Sequence, residues 1–173
     1  PGLVGSLKNM LLARRKERTK TFDGFVLRGR QLAAQKTEIF REDPVRLIRV
    51  FRHCQQLDCA PDVDLAALIR ASVRLISKEV IESTDANLSF RTMLEEAGKV
   101  HTPLALMHEL GVLGAFLPEF KPLTCLVQHE YYHRYTADIH TLSAIREIDA
   151  IFTASEPVTA RYRDGLPKTP KPT

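Results

Sequence analysis

The chain lacks any long apolar run, has few aromatic residues in its basic half, and places its three cysteines at no recognised spacing. The first absence excludes a membrane-spanning helix, which needs about 20 consecutive apolar residues. Residues 1–20 carry Lys and Arg without the unbroken apolar stretch of a signal peptide, so a soluble, cytoplasmic protein with no membrane partner is expected. Cys54, Cys59 and Cys125 are odd in number and form no CxxC pair. Neither a disulfide framework nor a structural zinc site is therefore expected, and the thiols read as free and buried. The scarcity of aromatics among the basic residues removes the stacking platforms that single-stranded nucleic acid would need, and no nucleic-acid partner is expected. No internal repeat is visible at any period.

What is present is enough apolar material for one good core, or one core and a fragment of a second domain: 44% of 173 residues. The net charge of +4 is segregated. Residues 1–52 carry 13 Lys and Arg against 5 Asp and Glu, residues 53–156 carry 8 against 15, and the last 17 carry 4 against 1. A basic end of this kind can meet phosphate, although solvated basic helix faces have the same composition. The opening Pro-Gly and the closing Leu-Pro-Lys-Thr-Pro-Lys-Pro-Thr read as the ends of a piece of a longer protein, the latter as a linker or tail.

Helical periodicity dominates. A basic helix is expected over residues 3–19, with Leu3, Leu7, Met10 and Leu11 aligned. Asp43-Pro44 is a helix start, because Asp caps free amides and Pro suits the first helical position; that helix should reach about Leu57. A second begins at Asp62 or Asp64 and aligns Leu65, Leu68, Ile69, Ser72, Val73 and Ile76. Helices follow near Asn87–Ala97 and Pro103–Leu110, with Gly98 and Gly111 as stops, and a long one over about Ile139–Ala154. Phe25-Val26-Leu27 can form one short strand. No stretch alternates over the length of a strand, and no Asn-Gly or Asp-Gly pair is read as a hairpin between apolar runs, so the expected class is all-α.

Two stretches carry chemistry. His129-Glu130-Tyr131-Tyr132-His133 matches the HExxH pattern, which on a helix places two imidazoles one turn apart with a glutamate between them as base. The extended zinc-protease pattern would need Gly at Thr136 and His at Ile139, and a chain without a sheet has no edge to hold a peptide. The protease reading is accordingly a remote one, and His129 and His133 read as polar residues beside an aromatic patch. In FREDPVRLIRVFR, from Phe40 to Arg52, the residues Pro44, Leu47, Ile48 and Phe51 make an apolar stripe while Arg46, Arg49 and His53 line a neighbouring face. Asp43 beside Arg46 and Arg49 can present an acceptor and planar donor forks to a nucleotide, or can simply cap a surface helix.

Glu42-Asp43-x-x-Arg46 resembles the EDxxR segment that follows the catalytic domain in tRNA nucleotidyltransferases and bacterial poly(A) polymerases, where it helps hold the base of the incoming nucleotide. Leu110-Gly-Val-Leu-Gly-Ala-Phe-Leu-Pro-Glu-Phe120 and the stretch from Gln128 to Leu142 are more specific. They resemble the bifunctional PII uridylyltransferase/uridylyl-removing enzymes of bacterial nitrogen control, over about Phe22 to Ile151. That resemblance implies a nucleotidyltransferase domain using UTP and Mg²⁺ to modify the PII signalling protein. A helical region follows, then an HD-type hydrolase with a divalent metal, then ACT domains that sense glutamine. It implies nucleotide-binding roles for Asp43, Arg46 and Arg49, and places the first metal-binding histidine of the HD domain at His140.

The departures define the expected role. No glycine-rich loop with Asp-x-Asp precedes residue 40, and no His-Asp doublet occurs, so neither metal site is complete and no catalytic residue is assigned. The expected organisation is a basic helix over 1–21, a helical nucleotidyltransferase-associated domain of bundle type over 22–127, the start of an HD-type domain with its first helix over 128–156, and a proline-rich linker or tail over 157–173. The chain reads as a non-catalytic helical portion of such an enzyme. The alternative is a helical interaction module of a related nucleotidyltransferase-like signalling protein.

Overall fold

Lys20–Phe22 (β1), Phe25–Arg28 (β2) and Gln31–Ala34 (β3) form an antiparallel meander in the computed structural model, which describes residues 20–123 and 136–165. Phe22 pairs with Phe25 and Arg28 with Gln31, so both connections are two residues long. The first is Asp23-Gly24, with φ of 47° and 81°; two successive positive values are what a type I′ hairpin turn requires. The all-α expectation is thus corrected. The Asp-Gly pair is a hairpin signal after all, hidden because its flanking strands of three and four residues are too short to display alternation. Ala60–Pro61 (β4) joins the edge of β3 in parallel, giving a four-stranded sheet in the order β1-β2-β3-β4. The single short strand expected near Phe25 is one of these four.

Helices make up most of the rest. A short α1 (Ile39–Glu42) buries Ile39 and Phe40 and leads into α2 (Arg46–Leu57), which buries Leu47, Ile48, Val50, Phe51 and Cys54 along the expected stripe. Asp43 acts a little earlier than expected: its Oδ1 accepts from the amide of Val45 at 3.1 Å, one residue before the helix proper. α3 (Val63–Ser72) is capped by Asp62, which accepts from the Leu65 amide at 2.8 Å, and it gives way to a 3₁₀ turn at Val73–Leu75 before the expected stripe is complete. α4 (Lys78–Ile81) precedes α5 (Thr84–Leu94), capped by Ser83; α6 (His101–Glu109) and α7 (Val112–Phe116) follow. Gly98 and Gly111 stand at φ 80° and 79°, the stops read from sequence.

α8 (Ala137–Thr153) falls where the last long helix is expected, and α9 (Pro157–Gly165) occupies the first part of the stretch expected to be a linker. Pro157 does not oppose that helix, because at the first helical position its missing N–H has no partner to lose. The basic helix over residues 3–19, Cys125 and the HEYYH stretch lie outside the described residues. Lys20 and Thr21, assigned to that helix by the expected boundary at 21, belong to β1.

One core unites the sheet with the helices: Phe25 and Leu32 from the strands, Phe40, Leu47, Ile48 and Phe51 from α1 and α2, Ile69, Met93, Met107, Val112 and Phe116 from the helices beyond. α2 is its axis and packs on α5 and α6; α6 in turn carries α8. Placing α2 centrally buries one side of it and leaves a charged side facing the β1–β2 turn.

Candidate functional site

The charged side of α2 presents Arg46, Arg49 and His53 at spacings of three and four, and opposite them stands Asp23 of the β1–β2 turn. Arg49 grips Asp23 with two parallel bonds, Nε to Oδ2 and Nη2 to Oδ1, each 2.9 Å, the bidentate geometry that makes guanidinium–carboxylate pairs strong. Arg46 Nε donates to Asp23 Oδ1 at 3.1 Å, and His53 Nε2 lies 3.0 Å from Oδ2. Arg49 also donates through Nη2 to Asp43 and through Nη1 to Asp85 at the start of α5. Arg46 Nη1 donates to the carbonyl of Ile39 at 3.1 Å and approaches Glu42 at 3.6 Å. Phe22 and Phe25 stand edge-on to the His53 ring, with centroids 5.0 and 6.0 Å away.

The site is half sheltered. The side chains of Arg46 and Arg49 keep 19% and 17% of their exposure, and Asp23 keeps 23%. Burial by itself raises the Asp23 carboxyl, but the hydrogen bonds from Arg49, His53 and Arg46 reverse that and hold it below the ordinary carboxylate value. Burial likewise disfavours the charged Arg49, and Asp23, Asp85 and Asp43 outweigh it, so this guanidinium is fixed in its charged form. Four carboxylates, of Asp23, Glu42, Asp43 and Asp85, face two guanidiniums and one imidazole. Such a charge balance disfavours a polyphosphate and suits a neutral ligand that alternates donors and acceptors.

The structure therefore brings Asp43, Arg46 and Arg49 together, as the sequence pattern implies. It adds Asp23 and Asp85, which sequence reasoning missed. Asp85 is 36 residues from Arg49 and only the packing of α5 on α2 brings it near. Asp23 had a signal, the Asp-Gly turn.

His140 lies elsewhere, exposed on the first turn of α8. Two residues before it, Asp138 is buried; its Oδ1 accepts from the Ile139 amide at 2.8 Å and its Oδ2 is 3.1 Å from His108 Nε2. Among the described residues no group of three or more His, Cys, Asp or Glu side chains could hold a metal ion. A single imidazole supplies too few ligands for a catalytic metal, so no chemical step is assigned to one here. His129, Glu130 and His133 lie outside the described residues.

These features define a small, mainly helical domain whose charged face is built across a sheet and two helices. Residues 25–116 match the family described as the Uridylyltransferase GlnD third domain. Over 139 residues, 80% of this chain, it is 35% identical to the bifunctional uridylyltransferase/uridylyl-removing enzyme of Caulobacter vibrioides, covering 15% of that protein. The enzymes of the same name from Cereibacter sphaeroides and Nitrobacter hamburgensis are each 35% identical, over 83% and 71% of this chain and 15% and 13% of theirs. No solved structure matches. The chain belongs to the uridylyltransferase GlnD third-domain family, and it spans about 15% of the length of the first of these relatives.

Proposed function

We propose that this chain is a non-catalytic helical portion of a bifunctional enzyme that transfers UMP from UTP to the PII signalling protein and removes it again. Within it, Asp43, Arg46 and Arg49 hold the uracil base of the incoming nucleotide. The observation that carries the reading is the face of α2, where the donors of Arg46 and Arg49 meet carboxylates in excess. A uracil edge offers acceptor, donor and acceptor in a row; Arg46 and Arg49 supply donors by exchanging bonds they make to Asp23, Asp43 and Asp85, and Asp43 supplies the acceptor between them. The triphosphate and Mg²⁺ belong to a transferase site outside this chain, and the hydrolytic metal and glutamine sensing to further domains, with His140 as one metal ligand contributed from here.

The test uses a full-length uridylyltransferase carrying this segment. Arg46→Ala should lower transferase kcat/KM for UTP about 10- to 100-fold, the loss of one charge-assisted hydrogen-bond pair, with uridylyl removal unchanged. A fall in both activities together with Tm would instead make the cluster a structural brace. The 173-residue chain alone, incubated with UTP, Mg²⁺ and PII, should leave the mass of PII unchanged; an adduct would overturn the non-catalytic reading.

A further inference from the structure

Away from the charged face, α2 ends in a turn that brings two thiols together. Asp58 adopts the left-handed conformation (φ 49°, ψ 50°), its amide bonds to the carbonyl of Gln55 at 3.4 Å, and the amide of Cys59 reaches back to the carbonyl of Cys54 at 3.0 Å. These are the two bonds of a Schellman closure, which sets the residue just past the left-handed one against the residue five positions earlier. An apolar contact often fills that place; here both residues are cysteines. The Cys59–Cys54 backbone bond keeps their Cα atoms under roughly 7 Å apart, and a disulfide bridges Cα atoms about 4.4 to 6.8 Å apart.

Both residues are free thiols, Cys54 buried and Cys59 half-buried, and both line a cavity of about 450 Å³ between the end of α2, β4 and α6. Lys99, His101 and Glu109 also line it. The hydrogen bond from Cys54 draws the Cys59 thiol below its usual range, against burial and Asp58 and with help from Arg30. The same bond, reinforced by burial, pushes Cys54 up. One sulfur is thus prepared to ionise and the other to keep its proton beside it.

We propose that Cys54 and Cys59 form an oxidisable dithiol site for hydrogen peroxide, with Cys59 as the attacking thiolate and Cys54 as the resolving thiol. The Cys59 sulfur attacks one peroxide oxygen, the O–O bond breaks, and the departing hydroxide takes up a proton and leaves as water. Cys59 is then a sulfenic acid. Cys54 attacks that sulfur, its own proton passes to the departing hydroxyl, and a second water leaves as the S–S bond forms. Two electrons have moved from the two thiols to the peroxide. The bridge joins the end of the helix bearing Arg46 and Arg49 to the residue that precedes β4.

Both cysteines fall in one tryptic peptide, residues 53–70, which makes the test direct. The reduced 173-residue chain is treated with hydrogen peroxide, alkylated and digested. The peptide should be lighter by two hydrogens, with neither cysteine alkylated. In Cys54→Ser, Cys59 should accumulate as a sulfenic acid trapped by dimedone; in Cys59→Ser, Cys54 should remain a thiol at the same dose. Alkylation of the untreated chain should be at least about tenfold faster at Cys59 than at Cys54. The proposal is overturned if the wild-type peptide stays reduced under doses that oxidise free glutathione, if Cys59 pairs with Cys125 or with another chain instead, or if Cys54 oxidises equally well in Cys59→Ser. The wild-type peptide mass decides the matter even if Cys54→Ser fails to fold, since that measurement needs no variant.

Discussion

Asp23 is the residue on which the charged face turns. It receives bonds from Arg46, Arg49 and His53 at once, while Arg49 spreads its donors over Asp23, Asp43 and Asp85. Removing the carboxylate's charge by Asp23→Asn should destabilise the fold by about 1–3 kcal/mol at neutral pH, read from urea denaturation. The direction of its pKa fixes the pH dependence. Because the folded value lies below the ordinary 3.8, this stabilisation is complete at neutral pH and is lost as pH falls through the folded value. The gap between wild type and Asp23→Asn should therefore hold at neutral pH and close below about pH 4. A gap that widened in acid would mean the carboxylate is not paired as described. Asp43 and Arg46 were legible as a helix-spaced acceptor and donor. Asp23 was not, because a partner 26 residues away from Arg49 is created by a chain reversal and not by spacing.

At the scale of elements, the β1–β2 hairpin depends on its turn. A Cβ added to Gly24 would sit 3.4 Å from Arg46 Cζ, on a backbone at φ 81° that side chains rarely adopt. Gly24→Ala should therefore cost about 1–2 kcal/mol, more than its removal of a flexible residue from the unfolded chain returns. Thermal melts of Gly24→Ala and Asp23→Asn against wild type check this: if the alanine is neutral, the turn is not the one described. Asp62 is an ordinary N-cap, accepting from the Leu65 amide at 2.8 Å, and Asp62→Ala should cost about 1 kcal/mol. The helices were the easier elements to read, since α2, α3 and α5 bury residues at three- and four-residue intervals over about two turns. Strands of two to four residues show no period, and four-residue helices hardly do better.

In the whole molecule, the C-terminal helices are held to the core through the packing of α8 on α6. Asp149 of α8 is buried and accepts from the amide of His101 at 2.6 Å, at the start of α6. Beside it Gly98 packs so closely that an added Cβ would lie 3.1 Å from the Cβ of Phe152. Asp149→Ala would leave that amide unpaired, and the loss should be about 1–3 kcal/mol, felt locally. Amide hydrogen exchange should show α8 and α9 losing protection while α2 and α5 keep theirs; an equal loss everywhere would show that α8 unfolds only with the rest. No described helix is long and apolar enough to cross a membrane.

What the sequence by itself determined was whatever repeats within a few residues. It marked the buried stripe of α2, the cap at Asp62, the stops at Gly98 and Gly111, and the family resemblance carried by contiguous segments, because short-range spacing is written directly into the order of side chains. It also brought Asp43, Arg46 and Arg49 onto one helix end. Tertiary structure alone decided what those guanidiniums face. Asp23 reaches them through a hairpin, Asp85 through the packing of α5 on α2, and β4 joins the sheet only once α2 has carried the chain back to β3. Contacts of that kind depend on how separate elements bury their apolar faces together, and no local period records them.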